Sequence, residues 1–231
     1  AFPGCCQLLA AAGFFARSAV SGGTADTFGS ATAGIFGFTT AGIVGFAQIE
    51  QAPSGDYVAV LDIGGVIGTD RTRDDALDQI ATDNQAKALL LRINSPGGTF
   101  VGGEALYVAL QRVAAEKPVV VVMDDVAASA GYMIAMAGDH VIAHRGTITG
   151  SIGVIFPTVE VVDFFDTLGI TFDNIKSDPL KANPSPFEDT LPEARAWTQV
   201  MIDELQNVFV DIVDEGRPDM DRAAVEVLAD G

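Results

Sequence analysis

Three near-continuous apolar runs constrain this chain more than anything else in it. They are YVAVLDI (57–63), KALLLRI (87–93) and PVVVVM (118–123). Runs of this length, rich in aliphatic and β-branched residues, read as strands inside a sheet. The stretches between them, around 72–85 and 103–115, have the three-and-four spacing of amphipathic helices. Strands that alternate with helices are joined by crossovers, so they lie parallel. The pattern therefore predicts an α/β domain whose sheet is covered by helices on both faces. Downstream, a helix follows Ser129, and strands are expected at HVIAH (140–144), SIGVIF (151–156) and GITFDNI (169–175). A helix is expected around 158–168, a long one over 192–216 and a shorter one after it.

The first fifty residues do not share this pattern. Their only charges are Arg17, Asp26 and Glu50, although the whole chain carries a net charge of −18. So acidic a chain lacks the cations that a nucleic-acid partner requires. Between Thr27 and Ile49 there is no charge at all, and about 20 apolar residues suffice to span a bilayer. Gly34, Gly37, Gly42 and Gly45 recur at spacings that suit close helix packing in lipid. The expected organisation is an N-terminal apolar segment over 1–50, with a candidate membrane anchor at 27–49, and a globular domain over 51–231. The other reading of 27–49 is a flexible or partner-packed extension. The only cysteines, Cys5 and Cys6, are adjacent, so the chain has no disulfide framework. They are read as apolar residues, with lipidation as the alternative.

Two loops carry the chemistry. The run KALLLRI leads into Ser95-Pro96-Gly97-Gly98 ahead of a helix. Glycines there let backbone N–H groups face an anion, including the oxyanion of acyl transfer, although a plain strand-to-helix turn has the same composition. The run PVVVVM leads into Ala127-Ala128-Ser129-Ala130-Gly131, a lone hydroxyl among the smallest side chains. Such a serine is either the cap of the following helix or a nucleophile on a sharp elbow. Both loops follow parallel strands and fall at the carboxyl edge of the sheet, where α/β sites form.

A serine nucleophile needs a base. His140 and His144, the only histidines, fall in one strand with no route back to Ser129, and no carboxylate or cysteine pattern accompanies them to hold a metal. Beyond residue 57 the lysines are Lys87, Lys117, Lys176 and Lys181. The first two start strands, at the wrong edge of the sheet. A neutral lysine base has its pKa lowered from about 10.4 towards 7–8, at a cost of roughly 4 kcal/mol that burial can impose. The proline-stiffened, charge-poor SDPLKANPSPF suits Lys181 better than Lys176.

RINSPGG, DDVAASAGYMIAMAGDHVIAHRGTITGSIGVI and IKSDPLKANPSPF, in this order, resemble the short bacterial form of signal peptide peptidase A. The resemblance covers about 57–231. It implies a ββα superhelix like that of the Clp protease subunit and the crotonases. It also implies a membrane-anchored serine endopeptidase with Ser129 as nucleophile and Lys181 as general base. Ser151 would orient the lysine amine, and the Gly98 and Ala130 N–H groups would form the oxyanion hole. Remnant signal peptides or other apolar peptides would be the substrates. The cell membrane would be the location, and a ring-like homo-oligomer the assembly, with Lys181 serving its own or a neighbouring Ser129. No cofactor is implied.

The chain departs from the family at Ala130, where glycine is usual, and at Asp178 and Pro184 beside the lysine. The family also continues past LADG, so the chain is expected to be a fragment or processed product. Two other functions fit parts of the pattern. One is a catalytically silent scaffold on the same fold; the other is a crotonase-type acyl-CoA enzyme, which shares the paired oxyanion donors. A Ser–His–Asp arrangement of the Clp type fails on histidine placement.

Overall fold

The computed structural model describes residues 55–231. The candidate anchor at 27–49, the boundary near residue 50 and the cysteine pair lie outside these residues. Among the described residues no helix is long and apolar enough to cross a membrane.

The expected alternation is present: β1 (Tyr57–Ile67), α1 (Arg71–Thr82), β2 (Ala86–Gly98), α2 (Phe100–Ala114), β3 (Val119–Ala128), α3 (Ala130–Ala135), β4 (His140–Ala143) and β5 (Ile148–Gly150). After these come α4 (Val162–Thr167), α5 (Pro192–Gly216) and α6 (Arg222–Leu228). The sheet order is β1-β2-β3-β4, every pair parallel, and β5 also pairs with β3. β3 is long enough to pair with β4 through Val120–Met123 and with β5 through Val126–Ala128. Local chemistry sets the helix starts. Asp70 accepts from the Arg73 N–H, and Thr99 Oγ1 accepts from the Gly102 N–H, so α1 and α2 are side-chain capped.

Burial alternates along the central stretches of β1, β2 and β3. Leu61, Ile63, Leu89, Leu91, Ile93, Val119, Val121 and Met123 are buried, and Leu77, Ile80, Leu106, Leu110, Val113, Met133 and Ile134 of the helices join the same core. The residues between them, such as Val60, Leu90 and Val122, are only half-buried. Among the described residues, cover on both faces, expected from the unbroken apolar runs, is thus found on one. On the other face Arg92 pairs with Asp62 (3.3 Å) and Asp124 (2.9 Å) across three strands. The C-terminal helices extend the core from the helical side, through Phe209, Val210, Ile212 and Val213 of α5 and Val225 of α6. Gly216 lies against Met136, where a Cβ would stand 2.8 Å from the Met136 carbonyl oxygen.

Two expected strands are absent. SIGVIF and GITFDNI form no ladder, and Ile175 is fully exposed. β4 and β5 already occupy the free side of β3, and among the described residues neither segment adds to an edge of the sheet. No residue from 153 to 190 is buried. Within this arm Phe165 gathers Phe164, Phe172 and Phe187 at centroid distances of 5.5, 5.0 and 5.9 Å, a small aromatic cluster of its own.

Candidate active site

β3 ends in small residues because two neighbours crowd it: Ala127 pairs with both Ser95 and Thr149, and Ala128 with Gly150. The next residue, Ser129, donates its N–H to the Gly150 carbonyl at 2.9 Å. Its backbone then turns at φ 51°, ψ −121°, a conformation costly for a residue with a Cβ. Its carbonyl accepts from the Tyr132 and Met133 N–H groups at 2.8 and 2.9 Å, so α3 starts at once. The side chain makes no capping hydrogen bond. The backbone of Ser129 starts the helix while its half-buried hydroxyl does not cap it, which removes the cap reading.

The glycine loop stands directly beside this elbow. Gly97 has φ +117°, and a Cβ there would lie 2.8 Å from the Ser129 Cβ and 3.2 Å from its Oγ. At Gly98 a Cβ would lie 1.9 Å from the Ile67 carbonyl oxygen, so β1 can run alongside only a glycine. The Thr99 N–H donates to that same carbonyl at 2.9 Å. Ala130 opens α3, so its N–H has no carbonyl one turn earlier to bond. Its methyl points into the core: a Cβ on Gly103 of α2 would stand 2.8 Å from it. The residue that departs from the family's glycine is thus accommodated by a glycine opposite.

Ser151, exposed and at φ 50°, directly follows the Gly150 carbonyl that holds Ser129. The Ile152 carbonyl after it accepts from Gln206 Nε2 of α5 at 3.2 Å.

Lys181 lies apart. It is exposed, on the arm, and its ammonium makes no hydrogen bond or ion pair with another described residue. The other three lysines are engaged. Lys117 donates to the carbonyls of Ile80, Asp83 and Ala86 at the end of α1, and Lys87 pairs with Asp56. Lys176 pairs with Glu188, and its hydrogen bond, together with one from Asn174, holds the Glu188 carboxyl below its ordinary range. His140 pairs with Val120, nine residues before Ser129, which places it at the opposite end of β3 from the site. His144 follows the end of β4 and is exposed.

The structure therefore brings together Ser129, Gly97, Gly98, Ala130 and Ser151, and no hydrogen bond joins Lys181 to them. It also adds Ser95, whose side chain the sequence reading passed over. This residue is fully buried, and its Oγ donates to the Gly65 carbonyl at 2.6 Å and accepts from the Gly97 N–H at 3.1 Å. Its place in a strand of alternating burial was the available signal.

Residues 111–231, just over half the chain, match the profile of peptidase family S49, and residues 68–150 match that of Clp protease. The chain belongs to peptidase family S49. Its fold is accordingly of the Clp protease and crotonase kind. Among curated relatives, slr0021 of Synechocystis sp., provisionally named a protease, is 36% identical over 75% of this chain and 63% of its own. Protease 4 of Haemophilus influenzae is 37% identical over 64% of this chain and 24% of its own. An Enterococcus faecium protein, provisionally named signal peptide peptidase SppA, is 35% identical over 67% of this chain and 45% of its own. The chain spans less than two thirds of the length of each. A solved structure of a mutant of the 1510-N membrane-bound stomatin-specific protease aligns over 77% of this chain and 72% of that one, at 17% identity and a TM-score of 0.43.

Proposed function

We propose that the protein is a Ser–Lys endopeptidase that cleaves apolar peptides such as remnant signal peptides at a membrane, on the ββα superhelix of its family. The observation that carries this reading is Ser129 itself: a strained, uncapped serine at the carboxyl edge of the sheet, abutting a glycine loop. In this reading the neutral Lys181 amine takes the Ser129 proton as Oγ attacks the peptide carbonyl. The carbonyl oxygen, now negative, receives the N–H groups of Gly98 and Ala130. Gly98 is favoured over Gly97 because the Gly97 N–H is already given to Ser95. Protonated Lys181 then supplies the leaving amine, and water resolves the acyl-enzyme. Ser151 orients the lysine.

The exposure of Lys181, and an ammonium without a partner among the described residues, support delivery of the base to the Ser129 of a neighbouring copy in a ring-like oligomer. Contact with that copy would also desolvate the amine. The assembly would be tethered by the segment at 27–49.

The test is peptidase activity against pH for the assembled wild type, Ser129→Ala and Lys181→Ala, with fluorophosphonate labelling of Ser129 alongside. Activity should rise with an apparent pKa well below 10 and vanish in both variants. A wild type that does not label at Ser129 would favour the silent scaffold. A Lys181→Ala variant that keeps its activity would remove the lysine base.

A further inference from the structure

We infer that Ser95 is a positioning residue that locks the oxyanion loop against the nucleophile, an inference that rests on the catalytic role proposed for Ser129. Three pieces of backbone meet at this side chain. Its hydroxyl proton goes to the Gly65 carbonyl of β1 at 2.6 Å, and its oxygen receives the Gly97 N–H at 3.1 Å. Its carbonyl supports the nucleophile helix, since a Cβ on Gly131 would stand 3.0 Å from that oxygen.

The ladder is irregular at this level. β1 and β2 shift register between Gly64 and Val66, and β2 and β3 shift between Ile93 and Ser95. A bulge re-aims the chain but leaves backbone groups without ladder partners. The Ser95 hydroxyl satisfies two of them, the Gly65 carbonyl and the Gly97 N–H. Gly97 is thereby held at φ +117° against Ser129, and Gly98 follows with its amide beside the elbow. Without the hydroxyl, the buried Gly97 N–H loses its partner and the Gly65 carbonyl loses its tie to β2, and the peptide leading into Gly98 is free to rotate. The substrate would not touch Ser95. Its effect would be felt only when negative charge develops on the carbonyl oxygen.

This gives a signature distinct from general loosening. In the full-length assembled protein, Ser95→Ala should lower kcat on a fluorogenic apolar peptide by about 30- to 100-fold and leave KM within about twofold, because one oxyanion donor is worth about 10²–10³ in kcat. A peptide aldehyde, whose adduct with Ser129 carries the same developing charge, should lose affinity in proportion to kcat. The free product peptide should bind as before. Ser95→Cys, nearly isosteric but a weak donor, should fall between the wild type and Ser95→Ala, and it carries the test should Ser95→Ala not fold. Retention of kcat within threefold in Ser95→Ala, or in Ser95→Cys where Ser95→Ala does not fold, would overturn the inference. So would equal loss of product-peptide and aldehyde affinity, which would mark collapse of the groove. An inactive wild type removes the Ser129 reading and this one with it, whereas an active wild type with an unaffected variant removes this one alone.

Discussion

Gly97 stands closer to the nucleophile, and Gly103 closer to the Ala130 that follows it, than a side chain allows. An alanine at Gly97 meets the Ser129 Cβ at 2.8 Å and is also strained at φ +117°. We expect Gly97→Ala to lower peptidase activity at least about 100-fold and stability by about 1–3 kcal/mol, read by fluorophosphonate labelling and thermal melting. Gly103 is a separable case, since its obstacle is the Ala130 methyl. Gly103→Ala should destabilise the wild type by about 1–3 kcal/mol, and by at least about 1 kcal/mol less in an Ala130→Gly background. Equal cost in both backgrounds would show that the two methyl positions do not interact. Ser129 as a candidate was legible in the sequence because small residues surround it. That its hydroxyl does not cap α3 was not legible, because a cap and an elbow share the same composition and differ in one pair of dihedral angles. The Ser95 lock was hidden for another reason: it depends on two register shifts, which no local spacing records.

At the scale of elements, strands and helices were legible wherever their partners lie within the chain. β1, β2, β3 and the long α5 follow from apolar runs and helical spacing. SIGVIF and GITFDNI have strand composition and form none, because a strand requires a partner and neither segment lies along an edge of the sheet. The single-sided cover of the sheet was missed in the same way, since Val60, Leu90 and Val122 are as apolar as the residues they alternate with. The arm over 153–190 is held by a few contacts, notably the Lys176–Glu188 pair near Lys181. The folded Glu188 pKa is depressed below its ordinary value of 4.5. Its contribution is therefore present above that value and lost as pH falls through the lowered folded pKa. Amide exchange of residues 176–190 should accelerate on acidification below about pH 4 in the wild type. In Glu188→Gln it should be fast and nearly pH-independent once corrected for intrinsic exchange. A loop with the same protection in both proteins would show that the pair does not hold it.

For the whole molecule, the division of parts decides the behaviour. Nucleophile, glycine loop and Ser151 belong to one packed body, whereas Lys181 rides on an arm that exposes Ile155, Phe164 and Ile175. Under the neighbour-supplied arrangement, Ser129→Ala and Lys181→Ala chains, each inactive alone, should regain activity when co-assembled. About a quarter of the wild-type rate is expected from random mixing, in which each site draws its two residues independently. No recovery at any mixing ratio would return the lysine to its own chain. Trp197 and Met201, exposed one turn apart on α5, extend the apolar surface, and Trp197→Glu should make specific activity fall steeply on dilution if that face also joins copies. A base supplied by a neighbour then has a consequence for timing. A newly made chain would carry a primed serine with nothing to fire it, and would stay harmless to its surroundings until enough sisters had accumulated. Crowding itself would be the safety catch.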